Sequence, residues 1–333
     1  MKVKSLKLKA YRSIGDLSLN FNLKEPNVFL GVNGSGKSSI LECIAFLLEP
    51  LSNLLEGEDD LNTNRFSGDD INLSQDYSDF LAEIVLAPSQ NLKDSMFGET
   101  AETVKDEVKI SARIAPSGIK SDFQIQSDDL NPFKLRIKSL LRKRQSINFP
   151  VMAFYPVQRD FSYDIETDDS FLSKNFKSLD HRISSLSRKA NFTHFFNWFR
   201  HKEDIENEIR LNDDTTYKDI QLEAVREAVY AFLPGFQDLR IRRLPLRMTI
   251  KKKSDEFSVS QLSDGEQCLL AMVGDMARRL AILNPGLENP LEGEGIVLID
   301  EIELHLHPQW QRGIVTSLKE IFPNCQFIIT THS

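Results

Sequence analysis

Leu6, Leu8 and Ala10 alternate with Lys7 and Lys9, a period of two that predicts a half-buried strand. A turn expected at Gly15-Asp16 separates it from a second run, in which Leu17, Leu19, Phe21 and Leu23 alternate with Ser18, Asn20 and Asn22. A hairpin therefore opens the chain. Val28-Phe29-Leu30 runs into GVNGSGKSS and then into the apolar helical stretch Ile40 to Leu48, which Pro50 should end. Strand-like pieces follow at 80–87 and 106–114 and in VMAFYPV at 151–157. Residues 160–233 lack strand alternation, and NFTHFFNWFRHKEDIENEIR and YKDIQLEAVREAVYAFL carry helical spacing, which predicts a helical insertion. Its aromatics Phe192, Phe195, Phe196, Trp198 and Phe199 read as core packing between those helices. From Asp238 to Val259 apolar residues alternate with basic ones, as in strands with one wet, positive face. A helix from about Gly265 to Leu283, a strand Ile296 to Ile299, a helix from about Pro308 to Ile321 and a strand Gln326 to Thr331 complete the pattern. The class is α/β, a mixed sheet flanked by helices, without internal repeats.

Composition narrows the function classes. The 333 residues are 41% hydrophobic and 27% charged, which excludes wholesale disorder and fibrous architecture. With 41 Lys+Arg against 49 Asp+Glu the formal charge is −8, so bulk electrostatics will not coat nucleic acid. Such contact would need a local patch. The basic stretches 134–144 (Lys134, Arg136, Lys138, Arg142, Lys143, Arg144) and 240–253 are the candidates, although solvated faces explain both. Acidic residues in 50–75 suggest an exposed connection without a binding role. No apolar run approaches the roughly 18 residues that span a bilayer, and the N-terminus lacks a signal-peptide core. A cytoplasmic setting is expected. Cys43, Cys268 and Cys325 are too scattered for a disulfide framework or a zinc site.

The chemistry starts at Gly31, Gly36, Lys37 and Ser38, which satisfy G-x-x-x-x-G-K-[ST] between a predicted strand and a predicted helix. In such a loop the backbone N–H groups around Asn33, Gly34, Ser35 and Gly36 converge on phosphate oxygens, with Ser38 and Ser39 opening the helix. Lys37 reaches the β- and γ-phosphates of ATP, and the Ser38 hydroxyl ligates Mg²⁺. Ile296 to Ile299 then delivers Asp300 and Glu301 at the C-terminal end of a buried parallel strand, where ligands sit in open α/β sheets. Asp300 suits the Mg²⁺ shell, and Glu301 suits a general base or a polariser of the attacking water. His305 and His307 form an H-x-H pair without further ligands at zinc spacing.

Leu262-Ser263-Asp264-Gly265-Glu266-Gln267 reads first as a helix start, with Ser263 and Glu266 forming a capping box. In its order after Lys37 and before Asp300, it also resembles the L-S-G-G-Q signature of the ATP-binding cassette (ABC) ATPases, in which Ser263 and Gly265 would cap a nucleotide held by another subunit. Thr330-Thr331-His332-Ser333 resembles the switch-histidine motif of the same family, so His332 would contact the γ-phosphate. Gln158, in PVQRD, takes the place of the Q-loop glutamine that senses Mg²⁺ and the attacking water. Arg12, in Tyr-Arg-Ser, resembles the arginine placed beside the phosphates in this branch.

Together these motifs resemble the ATPase heads of the chromosome-maintenance, RecF and overcoming-lysogenization (OLD) group. GVNGSGKSSILECIAFLL, FYPVQRD, HFFNWFRHKEDIENE, QLSDGEQCLLAMVGDMARRLAILNP, NPLEGEGIVLIDEIELHLHPQWQR and FPNCQFIITTHS are closer still to the PtuA family of Septu-type and retron-associated anti-phage systems. The resemblance covers nearly the whole chain. It implies an ABC-type head in two parts, 1–159 and 237–333, interrupted by a helical insertion at 160–236. It further implies ATP-gated pairing of heads as a homodimer or higher oligomer, an HNH nuclease partner, PtuB, and in retron systems a reverse transcriptase with its RNA-linked DNA. The alternative is a RecF- or OLD-like head acting in DNA repair or joined to its own nuclease. Family members generally continue beyond the Thr-His-Ser motif, so a C-terminal partner-binding segment is expected to lie outside this sequence.

Overall fold

The computed structural model describes residues 1–55, 70, 80–88, 107–114, 124–126, 148–157, 192–304 and 306–332. Gln158, the basic segment 134–144 and His305 lie outside them. The alternation at the N-terminus folds as expected into β1 (Lys2–Tyr11) and β2 (Ile14–Asn20), with Leu6, Leu8 and Ala10 buried and Lys7 and Lys9 exposed. The turn, however, sits at Arg12-Ser13, because Tyr11 pairs with Ile14 and Asp16 already pairs with Lys9. Arg12 takes a left-handed φ of 48° there, and Asp70 accepts its backbone N–H at 2.7 Å. A tertiary contact thus holds a conformation that turn-forming Gly15 would otherwise supply.

β1 and β2 join β4 (Phe80–Ala87), β5 (Val108–Ile114) and β6 (Gln124–Gln126) in an antiparallel sheet of order β2-β1-β4-β5-β6. A second, parallel sheet has the order β3-β12-β11-β7, from β3 (Asn27–Leu30), β12 (Cys325–Thr331), β11 (Gly295–Ile299) and β7 (Val151–Tyr155). Every residue of β7, β11 and β12 is buried, which explains their unbroken apolar text. Alternate side chains serve two cores. Met152, Phe154, Ile296, Leu298 and Ile328 pack towards α1 (Lys37–Leu55) and the antiparallel sheet. Tyr155, Val297, Ile299, Phe327 and Ile329 pack on the other side, with α2 (Phe192–Asn212), α3 (Ile220–Phe232) and α4 (Asp264–Leu283).

Pro50 does not end α1, which runs through it to Leu55. Proline removes one helical hydrogen bond, but Leu51 and Ser52 are buried in the next turn, and burying such a leucine contributes roughly 1.5–3 kcal/mol. Of the segment 50–75 expected to be an exposed connection, Leu51, Ser52 and Asp70 are instead buried, while 56–69 and 71–75 lie outside the described residues. The helix expected from Pro308 to Ile321 is two helices, α5 (Pro308–Gln311) and α6 (Ile314–Ile321), with Gly313 between them. The break lets Ile314 and Leu318 turn into the core.

The five aromatics of α2 are buried, as the core reading anticipated. Phe195 packs so tightly on α4 that a Cβ at Gly274 would lie 2.8 Å from its Cζ. β8 (Phe236–Arg243), β9 (Leu246–Lys252) and β10 (Asp255–Ser258) form a three-stranded antiparallel sheet. Its basic face is largely compensated: Arg240 and Lys251 pair with Asp238, Arg242 with Glu256, Arg243 with Glu203 and Asp204, and Lys252 with Glu266. Among the described residues, no helix is long and apolar enough to cross a membrane.

Candidate nucleotide site

The parallel register brings three strand ends side by side. Leu30 of β3 pairs with Thr331 of β12, and Ile329 of β12 with Ile299 of β11. The residues that follow each strand, Gly31 to Ser39, His332, and Asp300-Glu301, therefore meet at one carboxyl edge. β7 ends at the same edge, since Tyr155 pairs with Ile299 and its carbonyl accepts the Asp300 N–H at 2.9 Å.

Gly34 and Gly36 adopt φ of +79° and +88°, the left-handed backbone that turns loop N–H groups inward at the start of α1. Asn33, Gly34 and Ser35 are exposed, while Ser38 and Ser39 are half-buried in the first helical turn. Lys37 is only 8% exposed, and its ammonium donates to Gly31 O at 2.6 Å and Val32 O at 2.9 Å. Among the described residues no carboxylate forms an ion pair with it. A buried cation held by carbonyls in a cradle of backbone N–H groups fits a polyphosphate chemically. The Ser38 hydroxyl and the Asp300 carboxylate offer the hard oxygen ligands that Mg²⁺ takes.

His332 ties the two halves of the site. Its Nδ1 lies 3.0 Å from Gly31 O and 3.4 Å from Lys37 Nζ, and its Nε2 lies 2.9 Å from Glu301 Oε1. Gly31 O and Glu301 Oε1 both accept, so the ring that satisfies both contacts is the imidazolium. Its pKa is accordingly raised above 6.5, first by the hydrogen bond to Glu301 and then by that to Gly31, against desolvation and the Lys37 charge.

The acids are held by residues the sequence reading did not single out. Thr330 Oγ1 donates to Asp300 Oδ1 at 2.5 Å and accepts the Glu301 N–H at 2.8 Å. Its carbonyl accepts the Ile302 N–H at 3.1 Å. Glu301 stands at φ 45°, a left-handed backbone that costs an L-residue roughly 1–2 kcal/mol. Glu303 Oε1 accepts the backbone N–H of His332 at 2.5 Å. Both Thr330 and Glu303 lay inside quoted motifs, but only strand pairing shows that their segments face each other.

Arg12 is placed against α1 by ion pairs to Glu42 at 2.5 Å and Asp70 at 2.7 Å. Nothing in the sequence marked Asp70 as its partner. Ser263 caps α4 with the anticipated box: its N–H donates to Glu266 Oε2 at 3.0 Å, and its hydroxyl accepts the Glu266 N–H at 3.4 Å. Ser263 is exposed, Gly265 is buried in the first turn, and no hydrogen bond links Ser263 to the phosphate loop.

A phosphate loop, a strand-end acid pair and a histidine reaching both from the strand between them place the chain among the P-loop ATPases of the ABC-head type. The protein is an ATPase. It belongs to the family described as "AAA domain, putative AbiEii toxin, Type IV TA system", whose model matches residues 27–333. It is 31% identical to the Retron Vc95 probable ATPase of Vibrio cholerae over all of this chain and 70% of that protein. It is 28% identical to the Septu protein PtuA of Bacillus thuringiensis over 99% of this chain and 72% of that protein. Among solved structures, the Smc head bound to the C-winged helix domain of ScpA superposes with a TM-score of 0.56 at 20% identity. That match covers 99% of this chain and 89% of the Smc head chain, and it shows the same fold.

Proposed function

We propose that the protein is the ATP-binding and hydrolysing subunit of an anti-phage defence complex, working in the cytoplasm through ATP-gated pairing of two heads. The observation that carries this reading is His332 bridging Gly31 and Glu301, which links the phosphate loop to the acid pair. Gly31 to Ser39 and Lys37 would bind the nucleotide phosphates, and Ser38 and Asp300 would hold Mg²⁺, whose charge offsets that of the phosphates. Glu301 would orient and deprotonate the attacking water, and His332 would contact the γ-phosphate. Gln158 and Arg12 would add the Mg²⁺-sensing and phosphate-side contacts that the family resemblance assigns to them. The N-terminus of α4, with exposed Ser263 and Gly265 buried behind it in the first turn, would cap the nucleotide of a second copy. Helical insertion 160–236 between head parts 1–159 and 237–333 completes this arrangement.

The likeness to retron and Septu ATPases supports a partner HNH nuclease, and in a retron setting a reverse transcriptase with its RNA-linked DNA, as the machinery this head controls. Expression with the neighbouring genes, followed by purification with and without ATP, tests the partner. Recovery of an HNH nuclease supports the reading, whereas a solitary ATPase stimulated by DNA ends moves it to repair. Lys37→Ala should abolish ATP binding in calorimetry, and Glu301→Gln should keep binding and accumulate the paired form by light scattering. Tight ATP binding by the Lys37 variant would sink the site assignment.

A further inference from the structure

Asp300 and Glu301 are adjacent in sequence but must do different work: one carboxylate at the metal, the other at the water. Neighbouring side chains on an extended strand point to opposite faces, so the chain has to turn between them if both are to serve one site. It does so at Glu301, whose φ of 45° is unfavourable for any residue but glycine. Something must hold that turn. The Thr330 side chain, fully buried, contacts both acids: it donates to Asp300 Oδ1 and accepts the Glu301 N–H at 2.8 Å. A hydroxyl is the smallest side-chain group that donates to one partner and accepts from another. Valine has the same shape and can do neither.

We propose that Thr330 is a positioning residue for ATP hydrolysis, fixing the Asp300 carboxylate for Mg²⁺ and the strained Glu301 backbone for the attacking water through one hydroxyl. The proposal rests on the site reading above. It extends to coupling, because Thr330 lies near the end of β12, two residues before His332, which follows that strand directly. The Thr330 carbonyl holds Ile302 and the His332 N–H is held by Glu303, so the acid turn and the histidine are laced together by four further contacts besides the Asp300 bond. Any displacement of His332 by a γ-phosphate is then transmitted to both acids.

The test compares Thr330→Val and Thr330→Ser with wild type in the full-length protein. Thr330→Val should lower kcat about tenfold or more, a larger factor than the accompanying rise in KM for ATP, since positioned charge acts in the transition state. It should also reduce the gain in affinity that Mg²⁺ gives to N-methylanthraniloyl-ATP, read by fluorescence without turnover, while metal-free affinity stays. Thr330→Ser, which keeps the hydroxyl, should restore both readouts. Wild-type kcat and wild-type Mg²⁺ response in Thr330→Val overturn the proposal, as does a loss that serine fails to restore. Should the valine variant not fold, Thr330→Cys takes its place, with a weak donor of similar size; equal turnover in the cysteine and serine variants overturns the proposal. Lys37→Ala run alongside separates the layers: if it still binds nucleotide, the site reading fails and the proposal with it. If it loses binding while Thr330→Val behaves as wild type, the Thr330 role alone falls.

Discussion

Asp275 is a deeply buried carboxylate tied to the catalytic edge, and its removal has a calculable consequence. It sits on α4 at 2% exposure with Arg278 and Arg279 each donating at 2.7 Å, one and the same turn of helix providing both guanidiniums. Tyr155, whose carbonyl holds the Asp300 N–H, donates its hydroxyl to Asp275 at 3.1 Å. Burial pushes the Asp275 pKa up, but the charges of Arg279 and Arg278 and their hydrogen bonds outweigh it and bring the value from 3.8 down to about 2. A depressed carboxylate stabilises the fold above its unfolded pKa, and that contribution disappears as pH falls from about 4 through about 2. At about 1.4 kcal/mol per unit, the shift corresponds to about 2.5 kcal/mol at neutral pH. Asp275→Asn removes the charge and leaves two buried guanidiniums without it, so the loss should be larger, about 3–5 kcal/mol. Tyr155→Phe should cost less, about 1.5 kcal/mol, because the carboxylate keeps its arginines. Urea unfolding of the three proteins at pH 7, repeated between pH 2 and 4, reads both effects. A loss below about 1 kcal/mol for Asp275→Asn, or an acid dependence as steep as that of wild type, would refute the reasoning.

Three other consequences are as concrete. Gly274→Val should lower stability by about 1–3 kcal/mol through the collision with Phe195, with Phe195→Leu in the same background recovering part of the melting temperature; no recovery would mean that the contact is not the cause. Ser263→Ala should cost about 1 kcal/mol in thermal unfolding through loss of the α4 cap, and Ser263→Thr should cost less. If Ser263→Ala is neutral in stability, the capping contact has no energetic weight. The His332 ring should titrate above 6.5 by NMR, so its protonated contact with Glu301 is present below 6.5 and is lost as pH rises through the raised value. Glu301→Gln should bring the midpoint down, and a wild-type midpoint at or below 6.5 would contradict the geometry.

The sequence by itself determined the elements that periodicity and motif chemistry specify. Unbroken apolar runs announced β7, β11 and β12 because both faces of a central parallel strand are buried. The loop from Gly31 to Ser38 was legible because phosphate binding demands small residues and a lysine at fixed spacing, all local in the chain. The Ser263–Glu266 cap was legible for the same reason, since both partners lie within one helical turn.

Only the tertiary structure decided what depends on residues far apart in sequence. Pro50 looked like a terminator, because a local rule carries no information about the core that Leu51 enters. The turn at Arg12 was displaced from Gly15 by contacts with Asp70 and Glu42. The basic alternation from Arg240 to Lys252 suggested a positive face until Glu203, Asp204 and Glu256 arrived to neutralise it. Thr330 and Glu303 acquired significance only once parallel pairing set β12 beside β11, since register lies in hydrogen bonds between strands and leaves no mark on either strand alone.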